Sequence, residues 1–139
     1  MAKAQKYKVA LAIQNPDLMT RIEINLDEVG FETFSFKSAE QAMSCFNVRR
    51  PRIIITERRF KSRFAGLDLC RQIRKYYLLP YIYIIILSNM SRYSEIDDAI
   101  SVGADDYLVK PFNPFQIRSR IRVAVKWLSY IDSITLPQA

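Results

Sequence analysis

Histidine is absent from this 139-residue sequence. Its absence excludes every mechanism that needs imidazole on the chain: Ser-His-Asp hydrolysis, His-ligated zinc or haem, and phosphohistidine chemistry. Cysteine occurs only at Cys45 and Cys70, too few for a Cys-only zinc site, which takes four thiolates. They form no CxxC pair, so the chain reads as a reduced protein and not as a disulfide scaffold. Three glycines leave no Gly-rich phosphate loop, which weakens a reading as a nucleotide-binding enzyme. Long apolar runs are missing too. The longest, Tyr81 to Leu87, falls far short of the roughly 18 residues needed to span a bilayer. The opening Met1 to Lys8 is polar and basic, without a signal-peptide core or cleavage site. These absences set a cytoplasmic location and no membrane partner as expectations.

Half of the residues are hydrophobic and a quarter are charged. That is the balance of a globular chain, and the length is that of one domain. Twenty-one basic against fourteen acidic residues give a net charge of +7. Such a field favours anionic partners, nucleic acid among them. The basic residues are scattered, however, and no recognition helix or aromatic stacking motif accompanies them. A nucleic-acid-binding module is the weaker reading.

Apolar runs and helical patterns alternate from end to end. Tyr7 to Ile13 reads as a buried strand, after which Asn15-Pro16 supplies an N-cap and a first-turn proline. Leu18, Ile22, Leu26 and Val29 recur at helical spacing up to Gly30, a C-terminal cap. Phe31 to Phe36 alternates as a short strand. Ser38 with Gln41 makes a capping box for a helix running to about Val48. Arg52 to Thr56 is a β-branched third strand, and Glu57 to Phe64 a polar loop. Leu67, Cys70, Ile73 and Tyr77 mark a third helix, ended near Pro80. Tyr81 to Leu87 is the most apolar strand and so central or near-central. Tyr93, Ile96 and Ile100 form the stripe of a fourth helix over Ser91 to Val102, closed by Gly103. Asp106 to Val109 is a fifth strand. Asn113-Pro114 then opens a last helix built on Phe115, Ile117, Ile121, Val125 and Leu128.

Five strands, each followed by a helix, imply an α/β parallel sheet with helices on both faces. In such sheets the functional crevice lies at the carboxyl ends of the strands. Here those ends are Ile13-Gln14-Asn15, Thr56-Glu57-Arg58-Arg59, Leu87-Ser88-Asn89 and Val109-Lys110-Pro111.

The most specific string is Gly103-Ala-Asp-Asp-Tyr-Leu-Val-Lys-Pro-Phe112. It resembles the ending of a response-regulator receiver domain, the CheY-like module of two-component phosphorelay signalling. Ser88 closes the fourth strand where that family carries Ser or Thr, and Gly66-Leu-Asp-Leu-Cys70 opens the third helix as receivers do. The resemblance spans roughly Tyr7 to Tyr130. It implies a flavodoxin-like (βα)5 doubly wound fold, a three-layer sandwich with strand order 2-1-3-4-5. The expected division is a tail at 1–6, a receiver-like domain at 7–131, and a tail at 132–139 that could begin a linker to an output domain.

At the decisive places the residues depart from that pattern. The resemblance puts the family's Mg²⁺-holding acidic pair at Ile13 and Gln14. A hard divalent cation wants anionic oxygen ligands; isoleucine offers none, and glutamine only a neutral carbonyl. Asn15 follows, and serves better as an N-cap. The phosphoacceptor position is Glu57, one methylene longer than aspartate, and an error near 1 Å can cost about a hundredfold in rate. Arg58 and Arg59 bring positive charge toward the family's metal. The expectation is a degenerate pseudo-receiver with no cofactor, no metal, Mg²⁺ binding lost, and no enzymatic activity of its own.

Ser88 and Lys110 match the hydroxyl and lysine that contact the phosphoryl group in the family, and Lys110-Pro111 its usually cis peptide. An ion pair of Glu57 with Lys110 is expected, as a plain structural contact or as a stand-in for a phosphoryl group. Tyr107 falls at the family's aromatic switch position, and is otherwise a half-buried sheet aromatic.

Val123, Trp127 and Tyr130 form a second apolar stripe on the last helix, and exposed Trp and Tyr together signal a contact. The resemblance places them on the face of the fourth helix, fifth strand and fifth helix, the family's usual surface for dimers and partners. The alternative cover is the chain's own end, from Ile134 onward. Arg118, Arg122 and Lys126 are expected to pair with Asp97, Asp98 and Asp105 of a two-fold mate. The leading expectation is therefore a signalling module working by phosphorylation-independent contact with a second copy, a sensor kinase or an output domain. The alternative is a working phosphoacceptor receiver using Glu57 or a displaced Asp68.

Overall fold

Ten elements alternate strand and helix through residues 4–135, the part of the chain that the computed structural model describes. The strands are β1 (Val9–Ala12), β2 (Thr33–Phe36), β3 (Ile53–Glu57), β4 (Tyr83–Ser88) and β5 (Asp106–Val109). The helices are α1 (Pro16–Glu28), α2 (Ala39–Cys45), α3 (Gly66–Tyr76), α4 (Tyr93–Ser101) and α5 (Pro114–Thr135). All strand pairings are parallel, in the order β2-β1-β3-β4-β5. This is the doubly wound, flavodoxin-like sheet that the alternation and the family pattern predict.

Every residue of β1, β3 and β4 is buried, because helices cover both faces of a parallel sheet. Strand alternation divides these residues between two cores. Val9, Leu11, Ile53, Ile55, Ile85 and Leu87 pack with Ile22, Leu26, Ile117 and Leu128 on the side of α1 and α5. Ala10, Ala12, Ile54, Ile84 and Ile86 pack with Ala42, Leu69, Ile73 and Ala99 on the side of α2, α3 and α4.

The caps form as their residue types require. Asn15 accepts the Leu18 amide at 3.1 Å, and Ser38 accepts the Gln41 amide at 3.2 Å. Gly30 and Gly103, each just past a helix, have φ of 91° and 109°, a region where an L side chain is strained.

Three expectations are corrected. Helix α2 ends at Cys45, short of Val48, which stands exposed in the turn that follows. In α4, Tyr93 and Ile100 face outward, Ile96 is half-buried, and the fully buried residue is Ala99. A methyl group there leaves room for the helix to lie close on the sheet. At the other end, α5 runs to Thr135, so residues 132–135 are helix and not tail. Its core stripe is Ile117, Ile121, Ala124, Leu128 and Asp132, while Phe115 is exposed.

Asp132 belongs on that stripe because its charge is answered. Two guanidinium nitrogens of Arg52 donate to its carboxylate at 2.8 and 2.7 Å, and the Tyr7 hydroxyl donates at 3.1 Å. The Arg52 bonds hold the Asp132 carboxyl below the usual carboxylate range. A second link joins β4 and β5, where Asp105 accepts from Arg74 and from the Ile84 amide, both at 2.8 Å, and from Tyr81.

Candidate functional site

Parallel pairing brings the strand ends into one row. Glu57 lies opposite Leu87, and Ser88 opposite Val109. The loops that follow therefore gather Gln14, Glu57, Ser88 and Lys110 at the carboxyl edge, as the sequence predicts. Glu57 is buried, and its Oε1 accepts from the Lys110 ammonium. Its Oε2 accepts the backbone amide of Gln14 at 2.7 Å. The Ser88 carbonyl accepts the Lys110 amide at 2.8 Å, which fixes where that lysine starts, and the Lys110-Pro111 peptide is cis. The Ser88 hydroxyl accepts the Met90 amide at 3.0 Å.

The positions matched to an acidic pair do other work. Ile13 is 1% exposed and belongs to the core beneath α1 and α5. The Gln14 side-chain carbonyl accepts the Lys61 amide at 2.9 Å, so it braces the loop after β3. Gly66 belongs to the same corner. Its amide donates to the Arg58 carbonyl at 2.9 Å, and a Cβ on it would lie 2.2 Å from the Glu57 carbonyl oxygen. Only a glycine lets α3 start this close to the strand end. Among the described residues there is no group of three or more Cys, Asp or Glu side chains able to hold a metal.

Arg58 departs from its expected place. The Arg58 amide donates to the Leu87 carbonyl at 2.9 Å, continuing the sheet ladder one residue past Glu57. Successive ladder residues point to opposite faces, so the guanidinium goes away from the Glu57 carboxylate. It is 9% exposed, donating to the Glu95 carbonyl of α4 at 2.6 Å and to the Tyr107 hydroxyl at 3.1 Å. The Tyr107 hydroxyl in turn donates to the Met90 carbonyl at 2.8 Å. The Tyr107 ring is thus held inward from both sides. Arg59 remains exposed at the edge. The strand period itself carried this signal, since the last strand residue and its successor cannot share a side.

Asp68 does not reach the strand ends. Its carboxylate caps α3 by accepting the Ala65 amide at 2.8 Å, and pairs with Arg71 at 3.1 Å. The stripe of Val123, Trp127 and Tyr130 is about half exposed, and the Trp127 and Tyr130 rings meet edge-on at 6.1 Å. Ile134, the alternative cover, is itself an exposed residue of α5, and residues 136–139 lie outside the described chain. The expected charge pairs of a two-fold mate need correction. Arg118 is engaged by Asn25 at 2.7 Å and by Glu28 of α1, and Asp105 by Arg74 and Tyr81. Arg122 and Lys126 line a groove of about 580 Å³ with Val29 and Phe31, on the α1 side of α5.

A family profile for the response regulator receiver domain matches residues 9–122. The chain belongs to that family. Among curated relatives of this receiver, the "Probable transcriptional regulator ycf27" of Porphyridium aerugineum is 29% identical over 122 residues, 88% of this chain and 49% of that protein. The alkaline phosphatase synthesis transcriptional regulatory protein PhoP of Bacillus subtilis (strain 168) is 23% identical over 121 residues, 86% of this chain and 48% of that one. The receiver spans about half the length of the curated relatives it matches. Of solved structures, the chemotaxis response regulator CheY4 of Vibrio cholerae aligns with a TM-score of 0.79 at 19% identity, covering 86% of this chain and 99% of that one. NtrX of Brucella abortus aligns at 0.84 and 22% identity, covering 94% and 29%. At such identities the solved structures attest the fold alone.

Proposed function

We propose that this receiver acts without phosphorylation, as a non-enzymatic protein-contact module of two-component signalling, and that it takes no Mg²⁺. One observation carries the reading: both oxygens of the Glu57 carboxylate are already occupied, by the Lys110 ammonium and by the Gln14 amide. The family's chemistry needs an aspartate free to attack and an acidic pair to neutralise incoming charge. Here a longer carboxylate is committed to a fixed cation, Ile13 brings no ligand, and the Gln14 carbonyl is spent on Lys61. Glu57 with Lys110 stands where a phosphoryl group would, and Arg58 keeps Tyr107 inward without an input. Contact with a partner falls to the face bearing Val123, Trp127 and Tyr130. Relatives named as transcriptional regulators support an output domain or partner that acts on nucleic acid, with the receiver itself touching protein.

Retention of Ser88 and Lys110 favours the second reading, a working phosphoacceptor receiver. Intact-mass spectrometry after incubation with acetyl phosphate and Mg²⁺ separates the two. The expected result is an unchanged mass, with no saturable amide shifts at Gln14 and Glu57 when Mg²⁺ is titrated to a few millimolar. Stoichiometric gain of one phosphoryl group overturns the proposal.

A further inference from the structure

We propose that the amino-terminal end of the sheet is a peripheral docking surface for an anionic membrane. Two loops meet there: residues 46–52, leading into β3, and residues 77–82, leading into β4. The Tyr77 hydroxyl donates to the Asn47 side-chain carbonyl, and the Phe46 and Tyr77 rings lie 5.6 Å apart. Arg50 and Pro51 of one loop and Leu79 and Pro80 of the other line a shared cleft of about 90 Å³. The loops therefore form one surface.

Large apolar side chains project from it. Val48 is 82% exposed, Leu78 72% and Leu79 59%, with Tyr76 beside them at 60%. Scattered exposed apolar residues are ordinary, but a group of four on one end of a small domain marks an interaction site. Cations flank them. Arg49, Arg50 and Lys75 have no carboxylate partner among the described residues; Arg49 lies over the Phe34 ring at 4.8 Å, and Lys75 over Tyr76 at 5.3 Å. No Asp or Glu occurs in residues 46–52 or 74–82. The remaining arginines of these segments, Arg52 and Arg74, are matched by Asp132 and Asp105. Arg50 also holds a φ of 45°. A non-glycine residue seldom adopts that conformation, and such strain gathers at working sites.

The shape decides the occupant. A peptide would need a groove with successive pockets, and the shared cleft holds only about 90 Å³. Exposed aliphatic tips flanked by Arg49, Arg50 and Lys75 suit a fluid surface instead. The tips enter the interfacial region while the cations meet headgroup phosphates. No helix of the described residues is long and apolar enough to cross a membrane, so the attachment is peripheral. An expectation of no membrane partner drawn from missing apolar runs does not bear on it. The surface lies at the opposite end of β3 from Glu57, and stands or falls apart from the phosphorylation-independent reading.

The test is co-sedimentation of the whole chain with vesicles of phosphatidylcholine alone or with about 30% phosphatidylserine, the anionic lipid of this kind of recognition. Binding is expected only with phosphatidylserine, weakening as salt rises from about 0.05 to 0.5 M. Paired Arg49→Gln and Arg50→Gln should weaken it about thirtyfold, and paired Leu78→Ser and Leu79→Ser about tenfold. Circular dichroism and melting should match wild type in both, since the altered side chains are exposed. Absence of vesicle binding, or binding that survives both pairs of substitutions, overturns the proposal. So does capture by a polyglutamate peptide without vesicle binding.

Discussion

The Glu57 carboxylate meets the Lys110 ammonium with one oxygen and the Gln14 amide with the other. The partnership with Lys110 was legible in the sequence, because a lysine after one strand needs an anion and Glu57 closes another strand at the same edge, with β4 between the two. The Gln14 contact was not, because it uses a backbone amide that no residue type announces. Removing one partner of a buried pair leaves the other charge unanswered. Glu57→Gln and Lys110→Met should each cost about 2 kcal/mol. Their losses should fail to add, with a coupling of at least about 1 kcal/mol in a double-mutant cycle measured by denaturant unfolding. Strict additivity would reject the pair. The thiols offer a separate check. Burial pushes Cys45 up to about 11 and Cys70 up to about 12, and the thiolate is the reactive form. The native protein at pH 8 should release no colour from Ellman's reagent within minutes, and denaturant should expose both thiols. Rapid native labelling of Cys70 contradicts this picture.

Helices were legible wherever an apolar stripe and a cap agreed, as at Asn15 with Ile22 and Leu26. Tyr93 and Ile100 misled because a tyrosine and an isoleucine at helical spacing look like a core, while the residue that packs is the inconspicuous Ala99. The same spacing argument held on α5, where Val123, Trp127 and Tyr130 remain half exposed on the described chain. Of the charges expected to pair around them, Arg118 and Asp105 are held within the molecule. Association through this face must then draw on its aromatics, the residue types most often found as hot spots. Sedimentation at tens of micromolar should show a concentration-dependent dimer for wild type. Trp127→Ala should weaken it by about 2 kcal/mol, roughly thirtyfold. A monomeric wild type at that concentration removes self-association and leaves only a foreign partner.

Across the whole molecule, the chain's last described turn is tied to its first strand region through Asp132, Arg52 and Tyr7. The boundary expected at residue 131 falls one turn short of the helix end at Thr135. The spacing from Ile121 through Ala124 and Leu128 to Asp132 keeps the helical period and could have carried the stripe on. Arg52 holds the Asp132 carboxyl below its usual range. Its contribution to stability is therefore complete above the unfolded value near pH 4, and is lost as pH falls through the lower folded value. Unfolding free energies from pH 7 down to about pH 3 should drop more steeply for wild type than for Asp132→Asn. That variant should already lack about 2 kcal/mol at pH 7. Parallel curves for the two proteins would detach Asp132 from acid stability.

On the proposed reading, the contact between Glu57 and Lys110 also bears on time. A phosphoryl group leaves by hydrolysis and gives a message an expiry. A carboxylate set against an ammonium at folding has no such clock, and lasts as long as the fold. Any instruction this receiver delivers is then metered by how many copies exist, through synthesis and degradation.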